Sequence, residues 1–415
     1  MAQGKLTNSN YEQEWPVFLQ EAHHATSLGS DEDWQPIVID MVGSQAYVQL
    51  EQLVQDYSIA RVVDNYDDQY AELLVSRQPG LYQASYEEKV RILEEELAKH
   101  HTDSHAWQKG SWVYYPWNGQ LVHLIQRELF LELRSTRNRN LITTEEQHRL
   151  EDFNVGCVGM SVGSNAALAL AISGTSQQLK IADGAIISGS NLNRVLATAS
   201  DVGLSKSVII ARKLYEMNPY ITIERFGANI TLQNITQFFE KPWPIHVVVD
   251  EVDDLKVKLQ LRVEARKRGL PVIMATDLGD DVMLDVERFD LHPNLPFFHG
   301  LVHDIEDLLT KDFDNKEWLR RATAIIGSKN VPLRTQESIM QIGRGLSTQP
   351  QLGTTAIMAG AVVAYAVRKI ALNEPLKSGR TIISLDQHLL EDYGSVVYQQ
   401  LHEESSKRME QIFDL

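Results

Sequence analysis

From Phe153 onward the chain alternates short apolar runs with longer segments of helical spacing. Asn154–Val158 (NVGCV) predicts a strand, Gly159–Ser164 (GMSVGS) a turn, and SNAALALAISG a helix closed by Gly174. The run LKIAD predicts a strand ending at Asp183, followed by a helix over Lys206–Met217 and a strand near ITIERF. IHVVVD predicts the next strand, ending at Asp250. Asp254–Arg268 reads as a charged amphipathic helix stopped by Gly269, and PVIMAT as a further strand. Continuous apolar strands separated by helices predict an α/β fold, a doubly wound, mainly parallel Rossmann-like sheet covered on both faces. Ligands bind such a sheet at the carboxyl ends of its strands, so Asp183 and Asp250–Asp254 should converge there.

Residues 1–110 have a different texture, polar and mixed, and predict an α+β extension before a second domain over 111–415. Ser85-Tyr86-Glu87-Glu88 is a capping box that starts a helix running to about Lys99. Trp112–Ile125 predicts a hairpin, with Asn118-Gly119 as its two-residue turn. Leu352–Leu372 is long enough to span a membrane. Its Gly, Ala and Thr content, with Arg368 and Lys369 in the last turns, predicts instead a buried core or dimer-interface helix.

Length and charge narrow the function classes. A chain of 415 residues suggests two or three domains, and 43% apolar with 23% charged residues excludes disorder. The formal charge of −17 lacks the basic footprint of a nucleic-acid or membrane-surface binder. A single cysteine, Cys157, excludes an internal disulfide, a cysteine-built zinc site and a dithiol motif. The start, MAQGKLTNSNYEQEW, shows no secretion-signal pattern, so a cytoplasmic protein is expected. His101 and His105 have zinc-ligand spacing but no acidic partner in a metalloprotease-like pattern, and read as surface histidines.

Gly159, Ser161 and Gly163 lie between a strand and a helix, where backbone amides can cradle phosphate. Asp183 follows Gly159 by 24 positions, where an acid can hold a ribose. The ordered set is sharper: Asp183, then Ser190-Asn191-Leu192-Asn193-Arg194, then Val202-Gly203-x-x-Lys206, then Asp250-x-x-Asp253. In these elements the sequence resembles the ThiF/MoeB/ubiquitin-activating superfamily over about Arg134–Leu372. That resemblance implies ATP- and magnesium-dependent activation of a carboxylate as an acyl-adenylate. It implies Asp183 on the ribose, Asn191, Arg194 and Lys206 on the triphosphate, and Asp253 on Mg2+ with Asp250 nearby. It also implies a homodimer in which Arg137 or Arg139 reaches the partner's ATP site. The chemistry agrees, because a carboxylate attacking phosphate needs fixed cations where negative charge develops.

Relatives with paired zinc cysteines or a thioester cysteine differ from this chain, whose one thiol lies inside a strand. No structural zinc and no enzyme thioester are therefore expected. Three functions follow from the resemblance. The first is adenylation of a precursor peptide in antibiotic maturation of the pantocin or microcin C type, with residues 1–110 clamping the peptide and glutamate side chains as candidate carboxylates to be activated for dehydration and cyclisation. The second is adenylation of a ubiquitin-like sulfur carrier, and the third an inactive scaffold. The N-terminal half also resembles uncharacterised bacterial ThiF proteins that are sometimes fused to nitroreductase domains. His299, in Phe297-Phe298-His299-Gly300, is a candidate for the acyl pocket.

Overall fold

A computed structural model describes residues 31–302, 305–311 and 313–415. The N-terminal stretch read above for a secretion signal lies outside them. The chain divides into two compact units. The first takes the described residues up to Gln147 together with Tyr215–Tyr220, and the second the rest.

The first unit is α+β. Strands β1 (Ile37–Asp40), β2 (Arg61–Asp64), β3 (Ser111–Tyr115) and β4 (Gln120–Leu124) form a sheet of order β1-β3-β4-β2. Helices α1 (Ser44–Asp56), α2 (Tyr66–Arg77), α3 (Tyr86–His100) and α4 (Arg127–Ser135) accompany it. Ile39, Ala46, Leu53, Trp112, Tyr114 and Leu121 make its core. The Ser85 hydroxyl caps α3 by accepting the Glu88 amide, as its capping box predicts. The unit boundary falls after Gln147 rather than after residue 110, because hairpin β3–β4 supplies both central strands of this sheet. The hairpin loop is also longer than its sequence suggested. Tyr115 pairs with Gln120, leaving Pro116 to Gly119 as a four-residue turn. Trp117 is buried in that turn and donates to Glu216 Oε1 at 2.7 Å, which fixes the larger loop.

The second unit carries a seven-stranded sheet of order β11-β10-β9-β8-β5-β6-β7. Strands β5 (Val155–Val158), β6 (Gln178–Ala182), β7 (Thr222–Phe226), β8 (Val247–Asp250) and β9 (Val272–Leu278) are parallel. Strands β10 (Asp281–Glu287) and β11 (Gly379–Ser384) add an antiparallel edge. Buried β5 and β8 explain the continuous apolar runs. Helix α5 (Val162–Ile172) follows β5, α6 (Lys206–Met217) precedes β7, and α7 (Leu255–Arg268) follows β8. Asp254 caps α7 by accepting the Lys256 and Val257 amides, and Gly269 ends it in the left-handed conformation. The membrane-length segment forms α8 (Gly353–Ala371), which packs on α5 and β9 with Ala356, Ala359, Val363 and Val367 buried.

Candidate functional site

The site lies at the carboxyl ends of β5, β6, β8 and β9. Gly159 has φ +91, and a Cβ there would stand 2.4 Å from the Glu251 carbonyl oxygen, so only glycine allows this approach of the β5 turn to β8. Gly163 also packs against Glu251, where a Cβ would stand 3.1 Å from the side chain. Ser161 precedes α5 without a side-chain cap, leaving the helix N-terminal amides available to an anion. Asp183, just past β6, braces the same turn. Its two carboxylate oxygens accept the Met160 and Ala185 amides, each at 2.7 Å.

Arg194 is brought to this turn. Its Nε donates to Ser161 Oγ at 3.2 Å, and its Nη1 to Ser190 O at 3.0 Å and Asn193 Oδ1 at 2.9 Å. Nη2 makes no hydrogen bond among the described residues. Asn191 is buried, and its Oδ1 accepts the Ser188 amide, so its carbonyl end shapes the loop. Lys206 opens α6, with its backbone amide donating to Ala185 O beside Asp183.

At the end of β8 the two acids of the expected pair part company. Asp250 is fully buried and bound by Arg262 at 2.5 Å and Lys258 at 3.3 Å. Burial alone would raise its carboxyl, but these two cations hold it below the usual range. It is a structural ion, closed to a metal. Asp253 is exposed, and among the described residues only its backbone carbonyl is hydrogen-bonded, by the Trp318 indole at 3.2 Å. Asp254 is spent as the α7 cap.

Two further acids, to which the motif set gives no role, lie at the site. Glu251 accepts the Ala275 amide at 2.9 Å, and burial pushes its carboxyl well above the usual range. Asp277, near the end of β9, is only 6% exposed, and burial pushes it up to about 6 against the pull of the Gln351 amide and of Arg194. Asp253 pushes it in the same upward direction, so Arg194, Asp253 and Asp277 share one electrostatic neighbourhood. The signal was available: Asp277 follows an apolar run, at the strand end where ligands bind.

Other candidates lie elsewhere. Arg139 is tied within the first unit to Glu132 at 3.2 Å and Ser76 O at 3.1 Å, while Arg137 is exposed without a hydrogen-bond partner among the described residues. His101 pairs with Asp67 at 2.8 Å, and the His105 amide opens a short turn by donating to Gln108. His299 stands 3.2 Å from Asp285, whose carboxylate Arg380 also holds. Cys157 is fully buried, and burial with nearby Glu251 pushes its thiol up, away from nucleophilic thiolate.

The model of one protein family, described as the ThiF family, matches residues 135–396. The chain belongs to the ThiF family. Membership implies ATP binding. Uncharacterized protein MT1398 of Mycobacterium tuberculosis is 37% identical over 278 residues, which is 67% of this chain and 38% of that protein. The chain thus spans less than half the length of this relative. Probable molybdopterin-synthase adenylyltransferase of Porphyra purpurea is 34% identical over 115 residues, covering 27% of this chain and 29% of that one. Among solved structures, E. coli MccB with ATP is 21% identical at a TM-score of 0.43, covering 61% of this chain and 69% of that one.

The residues present fit a ThiF-type nucleotide site. Uncapped α5 amides and the unused Arg194 Nη2 offer donors to phosphate, and Lys206 supplies a point charge. Among the described residues no group of three His, Cys, Asp or Glu side chains gathers to cage a metal. A lone exposed carboxylate, completed by phosphate oxygens and water, is the arrangement magnesium prefers.

Proposed function

We propose that the chain spends ATP to activate a carboxylate of a ribosomally made precursor peptide, working as a homodimer and without an enzyme thioester. The observation that carries the reading is Arg194, braced by three acceptors over the β5–α5 turn with one guanidinium nitrogen unused. A substrate carboxylate oxygen attacks the α-phosphorus, and the bond to the β-phosphate bridge breaks with its electron pair leaving on pyrophosphate. Asp183 keeps the turn in place and faces the ribose, while the α5 amides, Arg194 and Lys206 meet the charge that develops on the phosphates. Asp253 would hold Mg2+, which neutralises the departing pyrophosphate. A nucleophile from the substrate then takes the acyl group and releases AMP, because buried Cys157 is out of play.

The first unit, with its own sheet and core, supplies a second module for substrate selection. Among the described residues β1 and β2 are its edge strands, where an extended peptide can add backbone hydrogen bonds. Arg137, exposed and without a hydrogen-bond partner among the described residues, is the better candidate to reach a partner's nucleotide.

The test is exchange of labelled pyrophosphate into ATP with synthetic peptides carrying glutamate side chains. Peptide-dependent exchange that disappears in Asp253→Ala supports the reading. Exchange only with a carrier-like C-terminal Gly-Gly peptide would move the assignment to a sulfur-carrier enzyme. No exchange with either would leave an inactive scaffold.

A further inference from the structure

Arg194 sits on the loop between β6 and α6, a segment of short turns without a strand or long helix of its own. Loops place side chains less precisely than sheets and helices do, and a phosphate-binding arginine works only if its planar fork is already aimed. The structure contains an anchor. Asn193 Oδ1 accepts from Arg194 Nη1, and the same amide's Nδ2 donates to the Gln351 carbonyl at 2.8 Å. Gln351 in turn donates its side-chain Nε2 to both carboxylate oxygens of Asp277, at 3.0 and 3.3 Å. A path therefore runs from β9 through Asp277 to the Gln351 side chain, across the Gln351 backbone to its carbonyl and Asn193, and from there by hydrogen bonds to Arg194 and Ser161.

Packing supports the same path. A Cβ on Gly353, in the first residue of α8, would stand 2.2 Å from the Asn193 carbonyl oxygen. The start of α8 thus presses directly on the Asn193 backbone while Gln351, two residues earlier, holds its side chain. Asn165 of α5 closes the arrangement by donating to the Arg194 carbonyl at 2.8 Å.

We infer that Asp277 and Gln351 are positioning residues that fix the aim of Arg194, tying the nucleotide-binding loop to strand β9 and helix α8. The inference rests on the ATP-activating reading above and names residues that the motif set does not contain. Neither side chain touches a reacting atom. Their effect passes through Asn193 to the guanidinium, so it disappears when the guanidinium does.

The experiment is a double-mutant cycle read as ATP affinity in the presence of magnesium, by titration calorimetry. Its four members are the wild type, Gln351→Ala, Arg194→Lys and the double variant. Arg194→Lys keeps a cation and a measurable affinity but removes the fork that bonds Asn193. With Arg194 present, Gln351→Ala should weaken ATP binding about tenfold, on the scale of coupling within one hydrogen-bonded network. With lysine in its place, the same change should cost less than about twofold. An equal loss in both backgrounds overturns the inference, since a merely structural role is blind to residue 194. Should Gln351→Ala fail to fold, Asp277→Asn, which keeps the side-chain volume, takes its place in the cycle with the same two outcomes. A wild-type chain that binds no ATP is a different result, and overturns the adenylation reading itself.

Discussion

Arg262 donates to Asp250 at 2.5 Å, and neither side chain has any exposed surface. The same guanidinium donates to Glu287 at 2.6 Å and lies 3.9 Å from the centre of the Phe298 ring. One cation thus joins β8, β10 and the turn beyond it beneath the candidate site. Removing it leaves buried Glu287 without a cation and buried Asp250 with Lys258 alone, a change that costs about 3–5 kcal/mol. Arg262→Ala should therefore show a large fall in urea midpoint. A fall of under about 1 kcal/mol would mean that the pair is worth no more than an exposed one.

The neighbouring acids Asp253 and Asp254 should separate cleanly. Asp253→Ala leaves packing untouched and should lower peptide-dependent pyrophosphate exchange by about 10²-fold, the scale of one preorganised charge stabiliser. Asp254→Ala removes the α7 cap and should cost about 1 kcal/mol of stability with a smaller loss of exchange. Thermal melts and exchange assays on the two variants give the comparison. The reverse pattern would exchange their roles.

Cys157 should behave as a small core residue. Cys157→Ala is expected to keep turnover within about tenfold and to cost about 1–2 kcal/mol in a urea titration. A substrate adduct on the wild type that is released by thiols and absent from the variant would reopen a thioester route.

Asp277 makes a pH-dependent contribution with a definite sign. Its folded value of about 6 lies above the ordinary 3.8, so its proton stabilises the fold fully below about 3.8, and that stability is lost as pH rises through 6. Wild type relative to Asp277→Asn should gain up to about 3 kcal/mol between pH 7 and pH 4. Arg194, Asp253 and Gln351 face the carboxyl, and Glu251, whose own carboxyl Asp277 pushes up, responds to the same substitution, so the difference reads Asp277 together with its effect on Glu251. A flat difference would place its titration outside this window.

Much of this architecture was visible in the chain. The apolar runs of β5 and β8, the Ser85 box, the Gly269 stop and the ordered motif around Arg194 all report local requirements, and local requirements leave a residue pattern. The antiparallel edge left none. Strand β10 reads Asp-Val-Met-Leu-Asp-Val-Glu, and two of its three buried acids, Asp285 and Glu287, are answered by Arg380 and Arg262 from distant segments. Asp250 was expected only as a neighbour of Asp253, and its cation, twelve residues on, left no mark in the sequence. Gln351 carries no motif at all, because its importance lies in what it bridges.

The proposed reaction cleaves ATP between its α- and β-phosphates on behalf of a carboxylate. Phosphorus resonance spectra of a turnover mixture containing the chain, magnesium, ATP and a glutamate-bearing peptide read that bond directly. AMP and pyrophosphate, formed in equal amounts and only when peptide is present, are the predicted products. ADP and phosphate formed in step with peptide would contradict the account, because the attack would then fall on the γ-phosphate.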